Sequence, residues 1–132
     1  MERKEPYATA DEQRQRIVRY EDVPAIELGP NTGSHLVSGG NITLSFVRQE
    51  PNSLAPAHTH QDVEQIMVVL EGSIDTIIDG KLYPMKKGDV AVLPPGVEHG
   101  AYAGPKGAHV VDVFSPPRKD LEEQLARKLG GG

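Results

Sequence analysis

His58-Thr59-His60 is the first segment in which residue type and spacing together point to chemistry. Side chains alternate along an extended strand, so two histidines separated by one residue project from the same face and can share a divalent ion. The same pair also describes two solvated surface histidines, and on its own the motif leaves both readings open. Asp112 is a second chemical candidate, because strand alternation puts it on one face with Ala108, Val110 and Phe114. A carboxylate among apolar neighbours on the inside of a sheet needs a partner, an ion or a catalytic role. On the outside it is an ordinary solvated acid or a loop cap. Arg118 follows Ser115-Pro116-Pro117, whose prolines stiffen its approach. Its planar guanidinium suits a carboxylate if the chain returns it over a cavity. His109 falls on the face opposite Asp112, and His35 stands in a turn-rich stretch without a partner motif; both read as surface or packing histidines. The 132 residues include no cysteine, which excludes thiolate metal sites, disulfides and cysteine nucleophiles.

Positioning such residues takes strands, and the composition supplies them. Gly (14 residues) and Pro (11 residues) punctuate a chain that is only 5% aromatic, so the core must be built from strand-favouring Val, Ile and Leu. Residues 17–28 suggest an edge strand, Val23-Pro24-Ala25-Ile26, broken by its proline. The cluster Gly29-Pro30-Asn31-Thr32-Gly33 reads as a turn. From Asn41 to Gln49, Ile42, Leu44 and Phe46 alternate with Thr43 and Ser45. Gln65 to Glu71 forms a strand that is apolar on both faces at Ile66-Met67-Val68-Val69-Leu70. Asp79-Gly80 marks a two-residue hairpin between Ser73–Ile78 and Lys81–Met85. Val90–Leu93, Val97–Tyr102 and Ala108–Phe114 are the last strands, the final two separated by Gly104-Pro105-Lys106-Gly107. Leu121, Leu125 and Leu129 recur at helical spacing, which predicts an amphipathic helix over 120–129 with Asp120 near its start. The division expected is a polar arm at 1–16, flexible or a short helix, a β-barrel at 17–119, and a helix with its tail at 120–132.

The net charge of −5 and the lack of any Lys/Arg run argue against nucleic acid or an acidic membrane surface as partner. No stretch approaches the length of a membrane span. The charged start, Met1-Glu2-Arg3-Lys4-Glu5, lacks the apolar core of a signal peptide, so a cytoplasmic location is expected.

Further along, Gly88, Pro94, Gly96 and His99 stand at the spacing Gly-x5-Pro-x-Gly-x2-His. With His58-x-His60, Gln65 and Gly72 before them, they resemble the two motifs of the cupin superfamily. The resemblance implies an all-β fold, a single jelly-roll barrel with a short C-terminal helix. It also implies one divalent ion held by His58, His60, Gln65 and His99. The chain departs from the family pattern in having Ala103 for an asparagine, Asn52 for a glycine and Gln65 for an acid. Glu64 fits the acid position if the shorter first-motif spacing is used. Gln65 shares a face with Met67 and Val69, and Glu64 with Ile66 and Val68, so alternation alone leaves the two open. Three imidazoles with a neutral amide would leave the full charge on the ion, a stronger Lewis acid than a carboxylate-bound one. Such donors suit Zn, Ni, Fe, Mn or Co.

The run Asp112-Val113-Phe114-Ser115-Pro116-Pro117-Arg118-Lys119-Asp120 carries a narrower resemblance. With the glutamine in the first motif, it is similar to the small cupins of pectin and alginate breakdown that linearise unsaturated uronates. That likeness implies Asp112 as general base or proton shuttle, Phe114 shaping the pocket and Arg118 holding the carboxylate of a small anionic substrate. Both it and the two-faced apolar strand point to a homodimer. Other readings of a metal-binding cupin are a dioxygenase or a polyketide-type cyclase. A protein that binds a sugar acid without turnover is a third.

Overall fold

Asp79 and Gly80, at φ of 49° and 78°, close a two-residue hairpin in which Ile78 faces Lys81. Two consecutive positive φ values match the twist of the flanking strands. This hairpin joins β5 (Glu64–Ile78) to β6 (Lys81–Lys86) in a computed structural model that describes residues 2–130. The other strands among the described residues are β1 (Ile26–Gly29), β2 (Thr32–Ser38), β3 (Thr43–Gln49), β4 (Leu54–His58), β7 (Val90–Leu93) and β8 (His99–Ser115). All pairings are antiparallel, in the order β1-β2-β3-β8-β5-β6, with β4 added to β8 and β7 to β5. The fold is an all-β jelly-roll barrel with a short C-terminal helix, as expected.

The alternation on β3 has an informative sense. Thr43, Ser45, Val47 and Gln49 are buried inside, while Leu44 and Phe46 lie half-buried on the outer face. The barrel interior is therefore partly polar, and Ser45 meets Ser34 of β2 hydroxyl to hydroxyl at 2.6 Å. An apolar cluster that includes Val47, Met67, Val69, Ile74 and Val110 fills the rest.

Several local expectations need correction. His35 lies in the middle of β2, not in a turn. Thr32-Gly33-Ser34 has weak strand propensity, but pairing with β3 from Thr32↔Gln49 to Ser38↔Thr43 overrides it. The edge strand begins at Ile26, not Val23. A 3-10 turn at Tyr20–Asp22 precedes it, and the Val23 carbonyl faces His35 Nδ1 at 2.6 Å. In the arm, the short helix that was one of its two expected forms is present as α1 (Ala10–Arg16), closed by a capping box between Thr9 and Glu12 and burying no residue. Met1 and the last two tail residues, Gly131-Gly132, lie outside the described residues.

The largest departure concerns Gly72 and Gly104-Pro105-Lys106-Gly107, which were expected to end strands. β5 and β8 run straight through them. Their early and late halves pair in two registers, Gln65↔Phe114 to Val69↔Val110 and Ile74↔Ala103 to Ile78↔His99, with bulges between. Both strands turn a corner there, and bulges of this kind are what bend a sheet. Gly72 sits at φ +79°, and a Cβ on it would fall 2.2 Å from the Gly107 carbonyl oxygen. Only glycine lets the two backbones cross so closely.

The C-terminal helix, α2 (Lys119–Lys128), buries Leu121 against Ile26 and Leu36, with Leu125 beside them. Gln124 Nε2 donates to the Glu27 carbonyl at 2.7 Å. The helix is thus fastened across the open end of the barrel by the β1–β2 hairpin.

Gly72→Ala is expected to cost about 2–4 kcal/mol, the range for a strained backbone combined with a steric clash. Gly80→Ala, at a similar φ but with nothing within 4 Å, isolates the conformational part. Thermal unfolding of both variants checks this, and equal drops in midpoint would remove the crowding at the corner as a cause.

Candidate metal centre

The open end of the barrel carries a cavity of ≈ 390 Å³. Its wall is built from the ends of strands. β4 terminates at His58, which faces His99, the first residue of β8. His60 follows in a turn held by the Gly96 N–H donating to its carbonyl at 2.8 Å. Gln65, the second residue of β5, lies opposite Phe114, and Met67 lies opposite Asp112. Arg118 comes back over the mouth after the two prolines, its backbone N–H donating to Thr43 Oγ1 at 3.1 Å. All seven residues singled out from the sequence line this one cavity. Glu64 does not: it is exposed and pairs with Ser115, whereas Gln65 is buried at 5% exposure.

The three imidazoles converge. Ring centroids are 4.7 Å apart for His58 and His60, 4.6 Å for His58 and His99, and 5.4 Å for His60 and His99. One nitrogen from each lies within 4.8 Å of the others. His58 Nδ1 stands 2.9 Å from the Pro56 carbonyl and His99 Nδ1 3.0 Å from the Val97 carbonyl. A carbonyl only accepts, so each Nδ1 carries the proton and each Nε2 keeps a free lone pair. In both cases the partner is two residues back, a relation the sequence displays but which carries no signal until the turn is known.

Electrostatics favour the neutral ring at His60 and His99. Burial, reinforced by Arg118 and the neighbouring histidines, holds His60 down to about 4 from an ordinary 6.5. Burial also lowers His99, against the opposing pull of the Val97 carbonyl. A neutral imidazole is the form that ligates metal. Three enclosed atoms in the same wall have no hydrogen-bond partner among the described residues: His99 Nε2, Gln65 Oε1 and Asp112 Oδ1. Buried polar groups are nearly always paired. Here two of the three offer the nitrogen and amide-oxygen lone pairs that a divalent transition ion accepts, so the donor set fits such an ion.

Asp112 lies only partly open to the cavity. Burial lifts its carboxyl to about 6, although the adjacent Gln65 amide and the Arg118 guanidinium both favour the charged form. Arg118 stacks over Phe114 with its guanidinium carbon 4.7 Å from the ring centroid. Its Nε and Nη2 edge, expected to meet a substrate, is already taken by Asp120, at 3.0 and 2.8 Å. Asp120 was read from sequence only as a helix start. The Arg-x-Asp spacing at a helix entrance was the available signal for its second role.

Comparison with known proteins now places the chain. Residues 45–114 match the model of the cupin domain family. The chain is a cupin. It is similar to the pectin degradation protein KdgF of Dickeya dadantii, 26% identical over 102 residues that cover 76% of this chain and 93% of that protein. The solved structure of KdgF from a Halomonas species superposes with a TM-score of 0.72 at 25% identity, covering 79% of this chain and 94% of that one. A germin-like protein of Morus alba is 33% identical over 92 residues, 65% of this chain, but the match spans only 44% of that longer protein. This cupin is thus a small one of KdgF-like size.

The shifts at His60 and Asp112 make opposite contributions to the stability of the metal-free cupin. His60, lowered in the fold, contributes stability that is present above pH 6.5 and lost as pH falls through about 4. Asp112, raised in the fold, contributes stability that is present below its ordinary 3.8 and lost as pH rises through about 6. Asp112→Asn should therefore be more stable than the parent at neutral pH and lose stability more steeply on acidification. Chemical denaturation in the presence of chelator across this range tests it. A variant no more stable than the parent at pH 7 would show that the enclosed charge costs nothing.

Proposed function

We propose that this cupin holds one divalent transition ion, Zn, Ni, Fe, Mn or Co, on His58, His60, His99 and Gln65, and converts a 4,5-unsaturated uronate to its linear keto form. The observation that carries this reading is an enclosed carboxylate and a stacked guanidinium in the wall that also bears three converging imidazoles. The likeness to KdgF, extending over nearly all of that pectin degradation protein, supports it.

The bound ion would act as a Lewis acid toward a substrate oxygen. The chain's own residues account for the rest. Ring opening of an unsaturated uronate is an isomerisation: the anomeric hydroxyl gives up its proton as the ring C–O bond breaks, and a proton is returned to carbon 4 as the double bond becomes a ketone. A single carboxyl group can do both, and Asp112 has a poised oxygen with no other partner. Arg118 offers Nη1 to the uronate carboxylate. Phe114, buried beneath the guanidinium, supports it and walls off water. The cavity volume lies at the lower end of the roughly 300–1,000 Å³ usual for ligand pockets, the size for a monosaccharide acid.

Metal-loaded protein should abolish the absorbance of the conjugated uronate faster than buffer does, and chelation should remove that activity. Asp112→Asn should lower kcat by about 10²–10⁴-fold, the usual worth of a positioned acid–base group. Arg118→Gln should raise KM. Decay no faster than in buffer, for each of the five metals, would discard the substrate class.

We also propose that two copies associate through the outer face of the sheet. Two rows of apolar residues cross four strands in register there, Leu44–Val113–Ile66–Val92 and Phe46–Val111–Val68–Val90. Val90 and Val92 are more than half exposed. An apolar face of this kind, exposed most at its Val90–Val92 end, can be self-complementary, which suits a two-fold pair. Light scattering should give twice the mass of the chain, and Val92→Glu should halve it. A parent protein that runs as a monomer overturns the pairing.

A further inference from the structure

Arg118 is held on three sides. Nε and Nη2 make a bidentate pair with the two oxygens of Asp120. The guanidinium plane rests on Phe114, and Nη1 stands 3.3 Å from His60 Nε2. The arginine side chain is only 13% exposed, whereas that of Asp120 is 66% exposed and reaches inward from the rim. Both residues belong to the entrance of α2, with Arg118 as its N-cap residue and Leu121 anchoring the next position in the core. The pair is therefore set by a rigid turn, which is what lets a rim carboxylate fix an inner cation.

Two consequences follow for the site. With its fork occupied, Arg118 turns only the Nη1 edge toward the imidazoles, so an anionic ligand meets a single, fixed donor group. And a lone guanidinium beside His60 would oppose any dication held by the same ring. The carboxylate at the fork offsets that charge.

We infer that Asp120 is a positioning residue, which orients Arg118 and offsets its charge so that a cation and a guanidinium can share the His60 corner of the cavity. This rests on the reading that the three imidazoles hold a metal ion.

The test is a double-mutant cycle on zinc affinity, measured by chelator competition at mildly alkaline pH, with the parent, Asp120→Asn, Arg118→Gln and the double variant. Asp120→Asn should weaken zinc binding by roughly tenfold in the parent, an interaction of ordinary size for neighbouring groups. In the Arg118→Gln background it should change affinity by less than about twofold, because distant or unlinked groups add. Asp120→Glu, which keeps a partner for the fork, should recover most of the loss. Chelated Asp120→Asn should unfold close to the parent's midpoint, since Asp120, 66% exposed, leaves its side of the pair open to solvent. Equal losses in both backgrounds, or no loss in either, would overturn the role of Asp120 while leaving the metal site standing. A parent protein that takes up no zinc or other divalent ion would overturn both.

Discussion

Lone pairs without partners, enclosed in one wall, are the constraint on which this molecule turns. His99 Nε2, Gln65 Oε1 and Asp112 Oδ1 are shut off from solvent and have no hydrogen-bond partner among the described residues. Each such group costs about 1–3 kcal/mol in the fold, against a total stability for an ordinary domain of about 5–15 kcal/mol. A sequence keeps them only if the surroundings leave no alternative orientation. The Val97 carbonyl fixes the tautomer of His99, and the β5–β8 ladder fixes Gln65 and Asp112 on adjoining strands. Met67, Val69 and Val110 below them supply apolar burial to offset the expense.

The division of labour along the barrel follows from this. The closed end is aliphatic and stabilises. The open end is polar and strained in the electrostatic sense, with rings held neutral and a carboxyl held above its usual range. Between them, Thr43 and Ser45 pair through their hydroxyls with Ser38 and Ser34 of β2, and Thr43 also accepts from the Arg118 backbone N–H. These inner hydroxyls let a polar loop close over the barrel without stranding its N–H groups.

Much of this was legible in the residues. The spacing of Gly88, Pro94, Gly96 and His99 announced the family because each glycine stands at a positive φ that few other residues adopt. The Asp79-Gly80 hairpin was equally plain. Alternation left Gln65 and Glu64 undecided, since parity defines two faces without saying which one is enclosed; only the pairing with Phe114 makes that choice. β2 stayed hidden because Gly33, Ser34 and Ser38 are poor strand formers that gain their conformation from β3. Asp120 was overlooked for a related reason: a helix-entrance acid has a local explanation that conceals a tertiary one. And the glycines of the β5–β8 crossing were taken for chain breaks, since nothing in one strand reveals that another lies against it.

That crossing has a consequence for how the chain can change. His99 begins β8 before the corner, whereas Asp112 and Phe114 lie beyond it, and all three must look inward. One residue gained or lost between Gly104 and Gly107 would invert the facing of everything downstream, sending the acid and its aromatic neighbour outside and their valine neighbours in. The Asp79-Gly80 hairpin, by contrast, contributes no residue to the cavity wall. At the corner a change of one residue would move both side chains off the cavity wall, whereas a change of two would keep their facing.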